Sequence, residues 1–585
     1  MAQAQKRPHQ EAEELLHRRE LDAAETYLEK ALTANMQDAH ALALMGELLI
    51  CRDDVVQGFA HYALAVQADP DNVAYKKRFM DISAFVPFGG YNPALEAVMN
   101  ACLATPDLDC SGAQTLWICL LLTHPSFAPL YNAFTRPDLY PEGSMGPVEE
   151  LADMTPLLLP LFRLGILQLT VCDVYFEQLV TAVRRFLLIS APEKMEDAAR
   201  LALTEAVACY AFNTDYALYA GPEEETQVEQ IKARLAAGNG SALDMALYAC
   251  YAPLYGLGGA AAADVLEAAG CTYVAQHQIR AAHALEERKK SIQALTPIGE
   301  GNSAAVRTQY EEFPYPRWTD LGLRRGVIHE EPEKAFLKEP GKTALNAGCG
   351  TGREALFVGV KFPDIKVTAV DLSLSSLSYA MGKAEEFGVR NVDFYQADLL
   401  RLPETGLSFD FIASTGVLVC LDEPIEGLKI LRDMLNPGGV MHLGFYSTMA
   451  RRHFLVAQQA VQEHGYPGTA EGMRRFRKDM HRLVPRESYE WIIQNAPDFY
   501  TLSTCRDMLF HVKEHTHTLP QIDDLLNAVD MEFIRMAVQP DVQALYNQVF
   551  PDDPEGGTLA HWHALEEAHP DTFVEMYSFT CRQRV

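Results

Sequence analysis

A glycine-rich turn is the part of this 585-residue chain whose residues most clearly suit chemistry. Gly348, Gly350 and Gly352 follow an apolar run that predicts a strand, and the run that begins at Arg353 predicts a helix. Glycine permits close approach to the backbone, and the N–H groups at the start of a helix bind polar or anionic groups. The pattern indicates a site for a polar ligand, although a glycine-rich turn can also be only a turn.

Acidic residues end the next two predicted strands. The β-branched run 366–371 ends in Asp371, and the run 392–398 ends in Asp398. An acid at such a strand tip suits the hydroxyl groups of a ribose. NAD is disfavoured, because the dinucleotide pattern requires glycine at the position of Arg353. Two more strand-like runs follow, at residues 409–416 and 440–447.

These segments resemble a class I S-adenosylmethionine-dependent methyltransferase, with motifs in the order AGCGTG, AVDLS, QADLL, TGVL and LNPGG. The resemblance implies an α/β fold with a Rossmann-like, seven-stranded sheet and S-adenosylmethionine as cofactor. It implies that the glycine turn holds the methionine end, that Asp371 holds the ribose and that Asp398 lies beside the adenine. The cofactor-binding residues that it predicts are Asn346, Ala347, Gly348, Cys349, Gly350, Gly352, Asp371, Leu372, Asp398, Leu399 and Thr415.

The motifs depart from the pattern of many relatives at positions that matter for catalysis. Asn346 stands where the glycine motif usually has an acid, and Val419 and Cys420 stand where many relatives have two histidines. A base is required only if the nucleophile arrives protonated. The candidate catalytic residues are Tyr446, at the predicted end of the fifth strand, and Tyr315.

An aromatic segment precedes the glycine turn. Residues 309–318 read QYEEFPYPRW, and two X-Pro bonds favour an extended backbone there. The segment resembles one that precedes the methyltransferase core in bacterial proteins that also contain tetratricopeptide repeats. Tyr310 and Tyr315 are predicted either to cover the entrance of the cofactor or substrate site, or to hold the linker against the catalytic domain.

The N-terminal region has a 34-residue period. Ala12 and Ala24 recur as Gly46 and Gly58, small residues that let paired helices approach closely. The period resembles that of tetratricopeptide repeats, which implies a protein or peptide partner. The alternative is that the repeats only cap the next domain.

The chain is expected to contain several domains, because 585 residues exceed one hydrophobic core. Between the repeats and the linker, apolar and polar residues do not alternate with a sustained period of two, as they would in strands. The middle region is therefore predicted to be helical. The predicted segments are 1–110 (tetratricopeptide-like), 111–296 (all-helical), 297–340 (linker and aromatic segment) and 341–585 (methyltransferase, with a helical insertion at 448–520).

That insertion is predicted to cover the acceptor site. Its part 451–486 is basic, which predicts either a solvated helix face or attraction of an anionic acceptor near Arg451 and Arg452. His511 and His515 share a helical spacing with no evident third ligand of the right type, so no metal site is predicted.

The net charge, the length of the apolar runs and the spacing of the cysteines argue against several classes of function. A formal net charge of −30 opposes general binding to nucleic acid, and no apolar run is long enough to cross a membrane. Twelve scattered cysteines without a C-x-x-C pair predict reduced thiols and a cytoplasmic location.

The sequence therefore predicts an S-adenosylmethionine-dependent methyltransferase that acts on a protein recruited by the repeats. The alternatives are a methyltransferase of small molecules and a cofactor-binding scaffold without catalysis.

Overall fold

The computed structural model describes residues 9–106, 108–135, 146–191, 194–257, 259–312, 314–315, 318, 321 and 332–584. The chain divides into two compact units, Met1–Ile279 and Arg280–Val585. Phe313, Pro316 and Arg317 of the aromatic segment lie outside the described residues. No helix within the described ranges is long and apolar enough to cross a membrane.

The first unit is built from helices wherever it is described. They are α1 Gln10–His17, α2 Leu21–Ala34, α3 Ala39–Cys51, α4 Val55–Ala68, α5 Val73–Ser83, α6 Pro93–Leu103, α7 Gln114–Leu122, α8 Ala128–Phe134, α9 Gly146–Glu149, α10 Thr155–Leu158, α11 Pro160–Gln168, α12 Val174–Ile189, α13 Asp197–Asn213, α14 Pro222–Ala236, α15 Ala242–Ala249, α16 Gly259–Ala268 and α17 Thr272–Val274.

Small residues set the spacing of the first helical pairs. A side chain on Gly46 of α3 would lie 2.8 Å from the Tyr62 ring of α4, and one on Gly58 would lie 2.9 Å from the Gly46 carbonyl oxygen. The two glycines therefore allow α3 and α4 to pack closely, with Tyr62 in the groove between them. Short turns join α1 to α2 and α3 to α4, so each pair forms a hairpin. Identity with tetratricopeptide repeats stays a prediction.

The second unit contains one mixed sheet with the strand order β1-β4-β3-β2-β5-β6-β8-β7. Neighbours from β1 to β6 pair in parallel, whereas β8 pairs antiparallel with both β6 and β7. The strands are β1 Gln293–Ala294, β2 Thr343–Ala347, β3 Lys366–Asp371, β4 Val392–Gln396, β5 Phe409–Thr415, β6 Leu435–Tyr446, β7 Met531–Met536 and β8 Met576–Gln583.

The prediction of seven strands is wrong by one. The additional strand β1 has two residues, Gln293 and Ala294, which pair with Tyr395 and Gln396 at the edge of β4. Two residues are too few to show the alternation by which a strand is recognised in a sequence. The additional strand also lies in a segment that was expected to be entirely helical.

Both faces of the sheet are covered. On β2, Leu345 and Ala347 pack into one apolar cluster and Ala344 packs into another. Parallel strands that are buried on both faces have nearly continuous apolar sequences, which explains the runs that predicted β2, β3 and β5. The described helices of this unit are α18 Ala281–Lys289, α19 Asn302–Glu312, α20 Arg353–Lys361, α21 Leu374–Phe387, α22 Pro424–Asp433, α23 Arg452–His464, α24 Ala470–Leu483, α25 Arg486–Asn495, α26 Leu502–Leu509, α27 Leu519–Ala528, α28 Pro540–Val549 and α29 Leu559–Ala568.

The strand order places a ligand crevice between β2 and β5. From β2 the chain proceeds first to β3 on one side and later to β5 on the other, so the order reverses at β2. The C-terminal ends of parallel strands meet at one edge, and open α/β sheets bind ligands at such a reversal. Helices α23 to α26, which follow β6, begin at this same edge.

Candidate functional site

A cavity of about 580 Å³ lies at the C-terminal edge of the parallel strands. All the predicted site residues line it except Ala347 and Gly352. Those that do are Asn346, Gly348, Cys349, Gly350, Asp371, Leu372, Asp398, Leu399, Thr415, Tyr315 and Tyr446. Their individual roles in binding or catalysis remain predictions.

Ala347 and Gly352 shape the turn but do not line the cavity. Ala347 is fully buried in the apolar core. Gly352 precedes α20 with φ of 83°, and a side chain on it would lie 2.5 Å from the Ala380 Cβ. Contact of these two residues with the cofactor stays a prediction, and their side-chain directions are occupied by packing within the protein.

The glycine turn is shaped to leave space for a ligand. Gly348 and Gly350 have φ of 74° and 51°, values at which side chains are strained. A Cβ on Gly350 would lie 3.0 Å from the Tyr315 carbonyl oxygen, and one on Gly348 would lie 2.3 Å from Val417 Cγ2. Residues with side chains at these positions would therefore crowd the cavity or its wall.

The Asp371 carboxylate links the turn to the tip of β3. One oxygen accepts a hydrogen bond from the Gly350 N–H at 2.8 Å, and the other accepts from the Ser373 N–H at 2.9 Å. Burial raises the pKa of Asp371, and these two hydrogen bonds act in the opposite direction. A carboxylate oxygen accepts more than one hydrogen bond, so Asp371 can still receive ribose hydroxyl groups.

Asp398 closes the neighbouring part of the cavity. Its Oδ2 accepts from the Gly299 N–H at 3.0 Å, and its Oδ1 accepts from the Leu400 N–H at 3.0 Å. The Asp398 N–H donates to Thr296 Oγ1 at 2.8 Å. Residues just before α19 are thus fixed at the end of the cavity where adenine is expected.

Glu354, which the sequence analysis missed, also lines the cavity. It lies in the first turn of α20 and accepts a hydrogen bond from Asn346 Nδ2 at 2.9 Å. Its second oxygen lies 3.5 Å from Thr415 Oγ1. Burial raises the pKa of Glu354. The sequence signal that could have found Glu354 is an acid two residues after Gly352, in a motif where Asn346 occupies the position of the usual acid.

Tyrosines and a carboxylate form a second cluster in the lining of the cavity. The Tyr310 hydroxyl donates to Asp507 Oδ1 at 2.6 Å, and the Tyr446 hydroxyl donates to Asp507 Oδ2 at 3.4 Å. Tyr315 also lines the cavity, and burial raises the pKa of all three phenols, which keeps them neutral. Asp507 was not predicted, because it lies 197 residues from Tyr310 in the sequence.

Further acids, Glu575 and Asp498, lie near Asp507 and these tyrosines. Burial and the nearby Asp498 raise the pKa of Glu575 to about 7, and burial and Asp507 raise the pKa of Asp498 to about 6. Glu575 lines the cavity and has φ of 101°, a strained value of the kind that clusters at functional sites. Together with Asp507 these residues form the "acidic wall" of the cavity.

Arg451 is the cation that the structure pairs with these acids. It is 1% exposed, and it lies 3.2 Å from Glu514, 3.7 Å from Glu575 and 4.0 Å above the centre of the Tyr446 ring. Arg452 is directed to Asp571 at 2.8 Å. Attraction of an anionic acceptor to these arginines stays a prediction, and the acidic partners of both arginines disfavour it.

The aromatic segment both lines the cavity and holds α21. Tyr310 and Tyr315 line the cavity, as expected of a cover. The neighbouring Glu311 accepts from the Ser375 N–H at 3.2 Å, at the start of α21, and the Tyr310 carbonyl oxygen accepts from Ser373 Oγ at 3.0 Å. Both interpretations offered by the sequence therefore apply to this one segment, and Tyr310 takes part in each.

The residues that raised the question of a metal have other partners. His511 Nε2 lies 3.3 Å from the Tyr310 hydroxyl, and His515 Nε2 lies 3.0 Å from the Leu421 carbonyl oxygen. Val419 is fully buried, and Cys420 lines the cavity. The described residues contain no group of three or more His, Cys, Asp or Glu side chains that could hold a metal ion.

Comparison with known proteins identifies the central part of this unit. Residues 344–439 match the family model described as "Methyltransferase domain", and they include β2 to β5 and the glycine turn. Residues 344–439 are therefore similar to a methyltransferase domain.

Several curated proteins are similar to the chain. An uncharacterized protein from Synechococcus sp. is 31% identical over 188 residues, which cover 30% of this chain and 44% of the relative. Malonyl-[acyl-carrier protein] O-methyltransferase from Halalkalibacterium halodurans is 34% identical over 117 residues, or 19% and 41% of the two chains. Ubiquinone biosynthesis O-methyltransferase from Marinobacter nauticus is 34% identical over 140 residues, or 23% and 54%. The chain thus spans about half the length of these relatives.

Proposed function

We propose that this protein is a methyltransferase that uses S-adenosylmethionine to methylate a basic nitrogen of a protein. The observation that carries the proposal is the cavity itself. Its lining includes both the glycine turn and Asp371 of the methyltransferase domain and the tyrosines and acids Asp507 and Glu575. S-adenosylmethionine supplies an electrophilic methyl group when bound, so the protein has to align the nucleophile and exclude water.

The charge of the acidic wall favours an amine as acceptor. Asp507 and Glu575 line the cavity, and Asp498 lies near enough to raise the pKa of Glu575. A carboxylate or phosphate acceptor would be repelled there, whereas a protonated amine would replace the missing positive charge. The ring faces of Tyr310 and Tyr315 also attract cations, whereas Arg451 already covers one face of Tyr446. The wall therefore supports a cationic acceptor over an anionic one.

Glu575 is the candidate proton acceptor for this reaction. A protonated amine has to lose a proton before its nitrogen lone pair can form a bond to carbon. A carboxylate whose pKa is about 7 accepts that proton near neutral pH more readily than an ordinary glutamate does. Asp507 fixes the hydroxyl groups of Tyr310 and Tyr446, which orients their rings around the acceptor.

A protein acceptor is favoured by the N-terminal helices. Their 34-residue period and their close pairing through Gly46 and Gly58 are typical of repeat arrays that bind peptides or proteins. A free small-molecule amine is the alternative acceptor. A cofactor-binding scaffold without catalysis is the alternative to an enzyme.

Radioactive methyl transfer tests the proposal. The purified chain is incubated with S-adenosylmethionine that carries a tritiated methyl group and with a lysate from cells that lack the protein. We expect S-adenosylhomocysteine to form and the label to enter protein as an alkali-stable N-methyl group. A matched reaction with Gly348→Val should give neither product, because the added side chain would collide with Val417.

Other outcomes would contradict separate parts of the proposal. Label in alkali-labile methyl esters would overturn the basic nitrogen. Label confined to the small-molecule fraction would overturn the protein acceptor. Binding of S-adenosylhomocysteine without any turnover would identify a scaffold.

A further inference from the structure

Asn346, at the C-terminal end of β2, and Glu354, in the first turn of α20, face the same cavity. Asn346 is 3% exposed, and its Nδ2 donates to Glu354, so its Oδ1 remains as an acceptor. In the part of the chain that the structure describes, that oxygen has no hydrogen-bond partner. Asn346 and Glu354 both line the cavity. Buried polar atoms are nearly always satisfied, so an unpartnered oxygen at a cavity indicates a ligand atom that donates.

A ligand group that carries positive charge as well as hydrogen atoms would suit both side chains. Burial raises the pKa of Glu354 more than Asn346, Lys334 and Thr415 together lower it. A carboxylate in such surroundings is costly until a cation approaches it. A protonated amine provides both requirements, since it has a positive charge and up to three N–H donors.

We propose that Glu354 and the Asn346 side-chain oxygen bind the α-ammonium group of the methionine half of S-adenosylmethionine. The assignment rests on the proposed function, because it takes S-adenosylmethionine as the occupant of the cavity. Glu354 then supplies, from the first turn of α20, the negative charge that the glycine motif lacks at position 346. The acid of the motif has moved by eight residues along the chain while staying beside the same strand.

The position of the pair agrees with the rest of the cavity. Asn346 pairs with Ala413 of β5, and Thr415 lies two residues further at the end of β5, so the pair stands where β2 and β5 meet. Asp371 and Asp398 stand beyond β2 on the other side, at the ends of β3 and β4. The methionine half and the adenosine half of one extended ligand would thus occupy opposite sides of β2.

A purely structural role for Glu354 is less consistent with its surroundings. Glutamine could accept the same hydrogen bond from Asn346 Nδ2 through its amide oxygen, without placing a charge in a site where burial opposes ionisation. A structural glutamate would also leave the Asn346 oxygen unpartnered. An ammonium group bound between the two oxygens explains both features.

Calorimetric titration of the full chain with two ligands tests the assignment. One ligand is S-adenosylhomocysteine, and the other is its analogue in which hydrogen replaces the α-amino group. Glu354→Gln should weaken binding of S-adenosylhomocysteine by about 10- to 100-fold, the range for hydrogen bonds to charged groups. Binding of the deaminated analogue should change by less than about twofold, because that ligand makes no such bond.

Two further variants separate the role of charge from that of folding. Asn346→Asp combined with Glu354→Gln restores a carboxylate beside the ligand and should recover most of the lost affinity for S-adenosylhomocysteine. Glu426→Gln removes a matched charge from the first turn of α22, where Glu426 is exposed, and should change neither affinity. Thermal unfolding of each variant checks that the fold is retained.

Several results would overturn the assignment. They are an equal loss for both ligands in Glu354→Gln, no loss for either, and failure of the double variant to recover affinity. Equal affinity of the wild-type chain for the two ligands would overturn it without any substitution. Absence of S-adenosylhomocysteine binding by the wild-type chain would overturn the proposed function, and this assignment with it. If S-adenosylhomocysteine binds but no methyl group is transferred, the comparison of S-adenosylhomocysteine with its deaminated analogue still decides whether the assignment holds.

Discussion

At the scale of single residues, Glu575 has the property on which the proposed chemistry depends. Burial and Asp498 raise its pKa to about 7, while Arg451 acts in the opposite direction. If Glu575 accepts the proton of the amine, the rate of methyl transfer should rise as pH increases through about 7. Glu575→Gln should lower the rate and remove that rise. The initial rate of S-adenosylhomocysteine formation across pH, at saturating cofactor, measures both effects.

The same pKa shift provides a control that does not depend on activity. A carboxyl group whose pKa is raised from 4.5 to about 7 binds more protons in the folded state than in the unfolded state between these values. The free energy of unfolding should therefore decrease as pH rises through this window. Glu575→Gln should reduce that decrease. An unchanged pH dependence of both rate and stability in the variant would show that Glu575 does not titrate in this range.

Asp371 acts on the turn as well as on the ligand. Because its carboxylate already holds the Gly350 and Ser373 N–H groups, Asp371→Ala should weaken S-adenosylhomocysteine binding by roughly 1.5–3 kcal/mol, the range for hydrogen bonds to charged groups. Calorimetry gives the dissociation constant, and thermal unfolding shows whether the fold survives. An unchanged dissociation constant would place the ribose away from this strand tip.

At the scale of elements, substitution of two glycines by alanine separates the cost of steric crowding from the cost of a left-handed backbone conformation. Gly348 and Gly388 have similar φ values of 74° and 66°. A Cβ on Gly388 meets nothing within 4 Å, whereas one on Gly348 would lie 2.3 Å from Val417 Cγ2. Gly388→Ala should therefore cost only about 1–2 kcal/mol of stability for its left-handed conformation.

Gly348→Ala should cost more, by about 1–3 kcal/mol, because the added atom overpacks the turn. It should also weaken binding of S-adenosylhomocysteine, which Gly388→Ala should not. Chemical denaturation measures the loss of stability, and calorimetry measures the loss of S-adenosylhomocysteine affinity. Adding Val417→Ala to Gly348→Ala should restore part of the lost stability. Equal destabilisation by the two substitutions would show that the turn adjusts and that the contact with Val417 does not matter.

The sequence predicts those parts of the site that are encoded locally. The glycine turn, the acids after β3 and β4 and the end of β6 at Tyr446 all lie next to a strand whose apolar run is recognisable. Asp507 and Glu575 could not be placed, because their neighbours in the cavity are distant in sequence. The partners of Arg451 could not be placed for the same reason, since Glu514 and Glu575 follow it by many residues.

At the scale of the second unit, three separate stretches of chain complete one cavity. The methyltransferase domain contributes the glycine turn, residues around α19 contribute Tyr310, and the segment beyond β6 contributes Asp507. The hydrogen bond between Tyr310 and Asp507 connects two of these stretches directly. Residues 344–439, which the family model matches, therefore contribute the glycine turn, while the residues around the proposed acceptor belong to parts of the chain outside that range.

The start of the second unit changes how a truncation should be designed. Residues 280–296 were expected to belong to a helical middle domain, yet they contain α18 and β1. Within α18, Arg288 forms an ion pair with Glu385 of α21 at 2.8 Å, and the Leu285 carbonyl oxygen accepts from Ser378 Oγ at 2.7 Å. A chain that begins at Pro297 lacks these contacts and the pairing of β1 with β4.

Truncation therefore yields a two-part prediction about the whole molecule. Residues 280–585 should bind S-adenosylhomocysteine as the full chain does, because every residue that lines the cavity is retained. They should lose methyl transfer to a protein acceptor if the first unit recruits it. Residues 297–585 should unfold at a lower temperature, because α21 and the edge of β4 lose their covering. Full transfer to the protein acceptor by residues 280–585 would instead show that recognition resides entirely beside the cavity, and the repeats would then need another role.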